Sequence, residues 1–523
     1  MRHRALSLAL TAALTATASA LVAVPAQAAS NTLTVTTIGR NGARITMPLV
    51  LTNAKTGQVV TGRKSGRSFS LAKGSWEVVV DIETPDNSPY RMSDTLAAVK
   101  VSVSGRTAVT LDARRGKRVS ASVDATSGAA AGSYNAFETA VACPANNWGG
   151  LVGVYNVPGE IYEIPNARAT EFQFGWMQTW TGADYYAVNR TTKGLPANPT
   201  AYFRRSSMAR VNLAMRSGET SQPVNGVMAN PSTGGQGCTD LLYGSSDLTG
   251  SGTDATAWLS SGQWQVRGYN TSGAWTLDTN DNRGPVKLTG GHSYWLNFGR
   301  AVWGPTAGLP VVDRRSIRFT PYATIADVNS GTGATADTRN TVTLSKAGHV
   351  LKRQTLTTSY GSAPTFSAGI ASAGWYSLSV TSTRKLRAQL STTVTLAWHF
   401  HADPRVSEVA PGYLAKLTPA GLSAANKVPE RSTTPVSITL ARTDAPWTTG
   451  LRYAHETVKS LKVWASHDGG RTWHAVTVTR SGSHWLAKVP EPAQPGSVTL
   501  RTVAVDTAGN SSTQTVYNAF LVS

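Results

Sequence analysis

Apolar and polar residues alternate along most of the chain in short runs, and Gly, Asn, Asp or Ser residues close these runs. The segments 75–82 (SWEVVVDI) and 98–103 (AVKVSV) are clear cases. Successive side chains of a β-strand point to opposite faces, so a period of two residues predicts half-buried strands. The longer period that is typical of helices is nearly absent. The pattern therefore predicts an all-β protein.

Breaks in this alternation divide the chain into several predicted β domains. A chain of 523 residues is too long for one hydrophobic core, so several β-sandwich domains in tandem are expected. Regularly spaced short strands near the C-terminus indicate that the last domain is immunoglobulin- or fibronectin-like. The predicted units are an N-terminal β-sandwich (29–126), an aromatic-rich β domain (133–310), a third β domain (311–402), a connector (403–430) and the immunoglobulin-like sandwich (431–523).

The first 28 residues predict export. Arg2 and Arg4 form a basic start, an Ala- and Leu-rich run follows, and Ala26 and Ala28 form an A-x-A cleavage site. These features are typical of a secretory signal peptide, so we expect a secreted, extracellular protein that begins after Ala28. No other apolar run is long enough to cross a bilayer, so no membrane span is predicted in the mature chain.

The charge of the chain favours anionic partners. The formal net charge is +20, and loss of Arg2 and Arg4 with the signal peptide leaves +18. For an exported chain this predicts weak attraction to anionic cell-envelope polymers, although a secreted protein partner and simple solubility remain alternatives. The basic clusters, such as 114–118 and 204–205, are scattered and carry no nucleic-acid-binding signature, so no nucleic acid is expected.

Two cysteines, Cys143 and Cys238, both fall in the aromatic-rich domain. In an exported chain they predict one disulfide. Two thiolates are too few for a zinc site made of Cys alone.

Aromatic residues cluster in the same domain, which contains eight of the fifteen Trp residues. Trp176, Trp180, Tyr185 and Tyr186 lie close together in sequence and are candidate ligand-binding residues, because Trp and Tyr rings stack on sugars. The alternative, that they fill a β core, is favoured by their strand-like spacing.

An Asp-box pattern, Ser466-x-Asp468-x-Gly470-x-Thr472-Trp473, occurs once in the last domain. The Asp468 carboxylate can accept backbone N–H bonds, Gly470 can adopt a positive φ, and Trp473 can pack over the hairpin. The motif therefore predicts a structural role for Asp468, Gly470 and Trp473 rather than an activity.

Two segments carry ligand-rich patterns without a complete metal site. His399 and His401 lie on one face of a predicted strand, and only Asp403 is nearby as a third ligand. The segment 278–284 is rich in Asn and Asp, but it lacks the EF-hand spacing, and a tight turn is favoured over a Ca²⁺ loop. No metal and no cofactor are predicted.

Several segments resemble a known family. The stretches 461–473 (LKVWASHDGGRTW), 500–510 (LRTVAVDTAGN), 374–384 (GWYSLSVTSTR) and 294–298 (YWLNF) are similar to the C-terminal accessory β domains of large secreted bacterial subtilisin-like serine peptidases. The Asp-Ser/Thr-Gly, His-Gly-Thr and Gly-Thr-Ser-Met-Ala motifs of their peptidase domain are absent. The resemblance thus implies accessory domains without the peptidase, and no catalytic residue is carried over.

These observations favour a secreted, non-catalytic protein that binds a partner or has an accessory role at the cell envelope. One alternative is a hydrolase of unrecognised type in the aromatic-rich domain, for which Glu160 and Glu163 are an example of a carboxylate pair. A second alternative is a protein that binds or regulates a separately encoded secreted peptidase.

Overall fold

A computed structural model describes most of the chain after residue 30. The predicted signal peptide and the Ala- and Gly-rich segment 125–132 lie outside the described part. The described residues are 31–85, 92–124, 135–182, 184–216, 224–232, 238, 242, 244–248, 254–271, 277–321, 323–327, 338–358, 364–384, 389–443, 451–453 and 457–523.

These residues form strands almost throughout, and their helical segments are three short 3-10 turns, Ala113–Arg115, Trp148–Gly150 and Arg205–Ser207. The all-β prediction is confirmed. Within the described part of the chain, no helix is long and apolar enough to cross a membrane.

The first unit is a sandwich of two sheets with orders β2-β1-β5 and β10-β14-β8-β6-β3-β4. Alternating apolar side chains such as Leu33, Val35, Val78 and Val80 fill the core between the sheets. The strands are β1 (Thr32–Ile38), β2 (Arg44–Ile45), β3 (Pro48–Asn53), β4 (Val59–Lys64), β5 (Ser68–Ser70), β6 (Gly74–Asp81), β7 (Thr84–Pro85), β8 (Met92–Val103), β9 (Arg106–Asp112), β10 (Lys117–Arg118) and β11 (Ser120–Val123), with β14 (Ile161–Glu163) joining from the next unit.

The middle unit consists of a seven-stranded sheet, β13-β12-β15-β16-β21-β18-β24, and a separate four-stranded sheet, β20-β19-β22-β23, which pack together around one hydrophobic core. The strands are β12 (Asn135–Pro144), β13 (Val152–Asn156), β15 (Phe172–Thr181), β16 (Tyr185–Lys193), β17 (Thr200–Phe203), β18 (Ala209–Met215), β19 (Val224–Pro231), β20 (Gly244–Leu248), β21 (Asp254–Leu259), β22 (Gly262–Thr271), β23 (Leu277–Leu288) and β24 (Ser293–Phe298).

The seven-stranded sheet is covered on both faces near its centre. One face packs in the core that includes Trp264 and Phe298, and the other packs against first-unit residues such as Val119 and Val123. Residues on both faces of β15 (FQFGWMQTWT) are accordingly buried, whereas a strand with one solvent-facing side shows alternating burial.

The C-terminal part is built around one long sheet whose path runs from β30 through β33 and β43 to β35. The strands are β25 (Trp303–Gly304), β26 (Val311–Asp313), β27 (Ser316–Phe319), β28 (Ala326–Asp327), β29 (Thr338–Lys346), β30 (His349–Thr358), β31 (Phe366–Gly369), β32 (Gly374–Arg384), β33 (Thr393–Ala402), β34 (Ser407–Val409), β35 (Leu414–Pro419), β36 (Lys427–Val428), β37 (Thr433–Ala441), β38 (Arg452–Tyr453), β39 (Val458–Ser466), β40 (His474–Ser481), β41 (His484–Pro490), β42 (Gly496–Asp506) and β43 (Ser511–Val522).

The predicted third and last domains share this sheet, because β33 of one pairs with β43 of the other. A single hydrophobic cluster extends from Ala301 to Val522. The last domain is an immunoglobulin-like sandwich in which β40 pairs with β39 in one layer and with β41 in the other.

Two predicted loops are strands instead. The predicted connector 403–430 contains β34, β35 and β36, which pair with β26, β37 and β43. The segment 278–284, predicted as a turn, has the backbone of β23 paired with β22, and its candidate Ca²⁺-binding side chains lie outside what the structure describes. Long-range pairing supplies backbone hydrogen bonds that local turn propensity does not reveal.

Candidate functional site

The four aromatic residues predicted as candidate ligand-binding residues lie in the interior. Trp176, Trp180, Tyr185 and Tyr186 are at most 7% exposed. Tyr185 packs between the two sheets of the middle unit, and the other three pack on the opposite face of the seven-stranded sheet. They therefore offer no exposed ring on which a ligand can stack.

A row of paired residues leads from these rings to the edge of the sheet. Trp180 pairs with Tyr186, Tyr186 with Trp258, and Trp258 with Arg210. Side chains of directly paired residues lie on the same face of a sheet. The row thus passes from two buried rings to a half-buried indole and then to an exposed guanidinium.

Asp184 joins the rings and cations at this end of the row. Its Oδ2 accepts hydrogen bonds from Trp258 Nε1 at 3.1 Å, from the Tyr186 hydroxyl at 3.5 Å and from the Arg205 guanidinium at 3.4 Å. The Arg205 Cζ lies 4.3 Å from the Trp258 ring centroid, and the Arg210 Cζ lies 5.9 Å from it. Both distances fall in the cation–π range, so two cations flank one indole.

The edge strand β24 adds an exposed indole to the same face. Trp295 is 69% exposed and pairs with Asn212, which follows Arg210 by two residues on β18. We call the surface formed by Arg205, Arg210, Asn212, Trp258 and Trp295 the Arg–Trp face. It places cationic groups beside an accessible ring, an arrangement that suits a ligand with both an anionic group and an apolar ring face.

Two acidic residues of the middle unit are buried, unlike the exposed Arg–Trp face. Glu163 and Glu138 are fully buried near the first unit, and desolvation by burial raises the pKa of each carboxyl to about 8. Glu138 Oε2 accepts a hydrogen bond from the Gly159 amide at 3.2 Å. The carboxylate pair Glu160 and Glu163, considered for a hydrolase, therefore includes one member that is closed off from solvent.

Cys143 and Cys238 form a disulfide, as predicted, with a Cα–Cα distance of 6.2 Å. Both residues are buried in the core of the middle unit, where they tie β12 to the segment after β19. Neither cysteine of the chain remains as a free thiol.

The Asp-box residues form a hydrogen-bonded turn between β39 and β40. Asp468 accepts the backbone N–H groups of Arg471 and Thr472 at 2.9 Å, and the Thr472 hydroxyl donates to it at 2.6 Å. These bonds, led by the one from the Thr472 hydroxyl, hold the pKa of Asp468 well below its usual range. Gly470 has a φ of 90°, and its Cα faces Trp473, so a Cβ there would lie 3.3 Å from the indole.

His399 and His401 project from one face of β33 beside Trp375. The His399 ring stacks on the Trp375 ring at 5.0 Å, and the His401 ring meets it edge-on at 5.9 Å. Asp403 is engaged by Arg405 at 2.6 Å, and this hydrogen bond lowers its pKa to about 2. Across the described residues, no group of three His, Cys, Asp or Glu side chains is arranged to hold a metal ion.

The Arg–Trp face is not evident from the sequence alone. The basic pair Arg204 and Arg205 and the segment 294–298 each stood out separately. What joins them is the pairing of β18 with both β21 and β24, which connects residues far apart in sequence.

No family model and no curated protein matches the chain. Three solved structures with some likeness to this chain are distant. The chicken CNTN1 FN1-FN3 domains are 9% identical, the match covers 64% of this chain and 90% of that chain, and the TM-score is 0.14. Salmonella alpha-2-macroglobulin reacted with methylamine is 10% identical, the match covers 91% of this chain and 37% of that chain, and the TM-score is 0.17. The Bacteroides ovatus protein SGBP-B in complex with a mixed-linkage heptasaccharide is 12% identical, the match covers 68% of this chain and 92% of that chain, and the TM-score is 0.10. At such low TM-scores the likeness identifies no family and assigns no function.

Proposed function

We propose that this protein is a secreted, non-catalytic binding protein that attaches to an anionic polymer of the cell envelope through the Arg–Trp face. The observation that carries the proposal is the placement of Arg205 and Arg210 around Trp258, next to the exposed Trp295. The predicted signal peptide supports the extracellular location.

Charge supports the same assignment. The mature chain carries a formal charge of +18, which attracts anionic polymers over distances limited to about 8 Å at physiological salt. At short range, guanidinium groups bind phosphate or carboxylate through paired hydrogen bonds. An indole beside them adds contact area for the apolar side of a sugar or polyol unit.

A binding role also agrees with the buried acids and with the missing peptidase motifs. Glu163 is sealed in the interior, so it is poorly placed to act on a substrate. The resemblance to the accessory domains of secreted peptidases supports an accessory role, and we propose this relationship as part of the same interpretation.

The test is co-sedimentation of the mature protein with purified Gram-positive cell walls. We expect binding at low salt that decreases as salt rises, and weaker binding for Trp295→Ala and for the double variant Arg205→Ala/Arg210→Ala. The matched control is Arg339→Ala/Arg353→Ala, which removes the same charge from exposed positions on β29 and β30. Equal losses in the two double variants would show that the net charge, and not the Arg–Trp face, governs binding.

A further inference from the structure

The outward side of the long C-terminal sheet has an unusual composition. Three rows of directly paired residues cross β29, β32, β33 and β43, with one residue from each strand in every row. The rows are Thr341-Thr381-Thr395-Thr515, Thr343-Ser379-Ala397-Thr513 and Ser345-Ser377-His399-Ser511. Of these twelve residues, all except Ala397 and His399 are Ser or Thr. We call these three rows the hydroxyl face.

The hydroxyl face is the outer side of a sheet whose inner side is core. The residues that alternate with the rows, such as Val342, Leu378 and Leu396, are buried in the C-terminal hydrophobic cluster. The rows themselves are exposed or half-buried, except for Thr515, which accepts a hydrogen bond from Arg501. Alternation of this kind fixes which side chains point outward.

The hydroxyl face carries no formally charged residue, although the chain has 49 Lys and Arg residues. The nearest charged residues in the same rows are at its borders, where Arg353 pairs with Thr343 and Arg501 pairs with Thr515. Strands in a sheet are about 4.8 Å apart, so the hydroxyls form a regular grid of groups that both donate and accept hydrogen bonds.

An aromatic platform adjoins one end of this grid. Trp375 precedes Ser377 on the same face of β32 and is 39% exposed. The His399 ring stacks on it with an interplanar angle of 14°, and the Ser377 hydroxyl lies 2.9 Å from His399 Nδ1 and so orients that ring. The stacked imidazole covers one side of the indole and holds the Trp375 ring in place.

We propose that the hydroxyl face and Trp375 form a second binding surface, whose ligand is an uncharged polysaccharide. A sugar ring packs its apolar C–H side against Trp375, and the following sugar hydroxyls exchange hydrogen bonds with the Ser and Thr rows. The lack of charge favours a neutral polymer over an anionic one. The lack of an apolar centre makes the surface unlike a typical protein interface.

The test is a pull-down of the mature protein with two neutral polysaccharides, insoluble cellulose and insoluble chitin. We expect binding to at least one that persists at high salt, because no ion pairs are involved. Trp375→Ala should weaken it roughly tenfold, and Thr381→Val/Thr395→Val should weaken it by a smaller factor while keeping side-chain shape. Circular dichroism and thermal unfolding check that the variants fold.

Trp295→Ala is the matched control, since it removes an exposed indole from the Arg–Trp face and should leave this binding unchanged. Retention by neither polysaccharide overturns the proposal, as does a Trp375→Ala variant that binds like the parent. Sedimentation velocity tests for self-association through this face. A parent protein that self-associates, together with a monomeric Trp375→Ala variant, would also overturn the proposal. Failure here leaves salt-dependent binding to cell walls unaffected, so the two proposals are tested separately.

Discussion

Replacing Glu138 by Gln should change how the stability of the protein depends on pH. Glu138 lies on β12, is fully buried, and has one carboxyl oxygen, Oε1, without a hydrogen-bond partner among the described residues. Burial disfavours the charged form, which raises the pKa of this carboxyl to about 8 in spite of the Gly159 hydrogen bond and the nearby Arg118. A neutral amide of the same shape has no ionisation to suppress.

The direction and size of the effect follow from proton linkage. The folded state holds the Glu138 proton up to about pH 8, whereas the unfolded state loses it near the ordinary value of 4.5. The stability from this group is therefore fully present below pH 4.5 and is lost as pH rises toward 8. In that window the free energy of unfolding should fall by about 1.4 kcal/mol per pH unit for each such group. Glu163 has the same raised pKa and should contribute independently.

Scanning calorimetry of the mature protein between about pH 5 and pH 9 measures this dependence. Glu138→Gln should flatten the fall of the melting temperature between pH 5 and 8, and Glu138→Gln/Glu163→Gln should flatten it further. At pH 8 the single variant should be more stable than the parent. Parallel curves for the parent and both variants would show that Glu138 and Glu163 do not have raised pKa values in the folded protein.

Two further predictions concern the structural residues. Intact mass after alkylation without reductant should show no modified thiol, and two alkylated cysteines would contradict the disulfide. Reduction of the bond between Cys143 and Cys238, which are 95 residues apart, should lower the free energy of unfolding by up to about 4–5 kcal/mol. Asp468→Ala should lower the melting temperature of the C-terminal part and leave cell-wall binding unchanged. Asp468→Asn should lower the melting temperature less, because the amide keeps an acceptor oxygen. An unchanged melting temperature in Asp468→Ala would contradict the role of Asp468 in stabilising the turn.

Local pattern was sufficient to predict the all-β class and several of the strands. In β32 and β33 the alternation of buried and exposed residues is regular, and the sequence shows it directly. The Asp-box turn is equally local, since its hydrogen bonds span at most four residues. Such features depend on neighbours in the chain, and so they are readable from the sequence alone.

The strand-like spacing of Trp176 and Trp180 favoured burial in a β core, but the distant segments that pack on them were not predicted. Trp176 and Trp180 are buried because β11 and β17 lie near their side of the seven-stranded sheet, where Gln178 bonds the Ala121 amide at 2.8 Å. Likewise, β34 and β35 gain their partners from strands far away in the sequence. The exposure of Trp295 results from its position on an edge strand, which no local pattern specifies.

The most direct test of the proposed function compares cell walls before and after acid extraction of their anionic polymers. The mature protein should pellet with intact walls at low salt, and extraction should remove most of this binding. Trp295→Ala should weaken the binding, whereas Trp375→Ala should not. Undiminished binding to extracted walls, or equal binding by the parent and Trp295→Ala, would contradict the assignment of an anionic ligand to the Arg–Trp face.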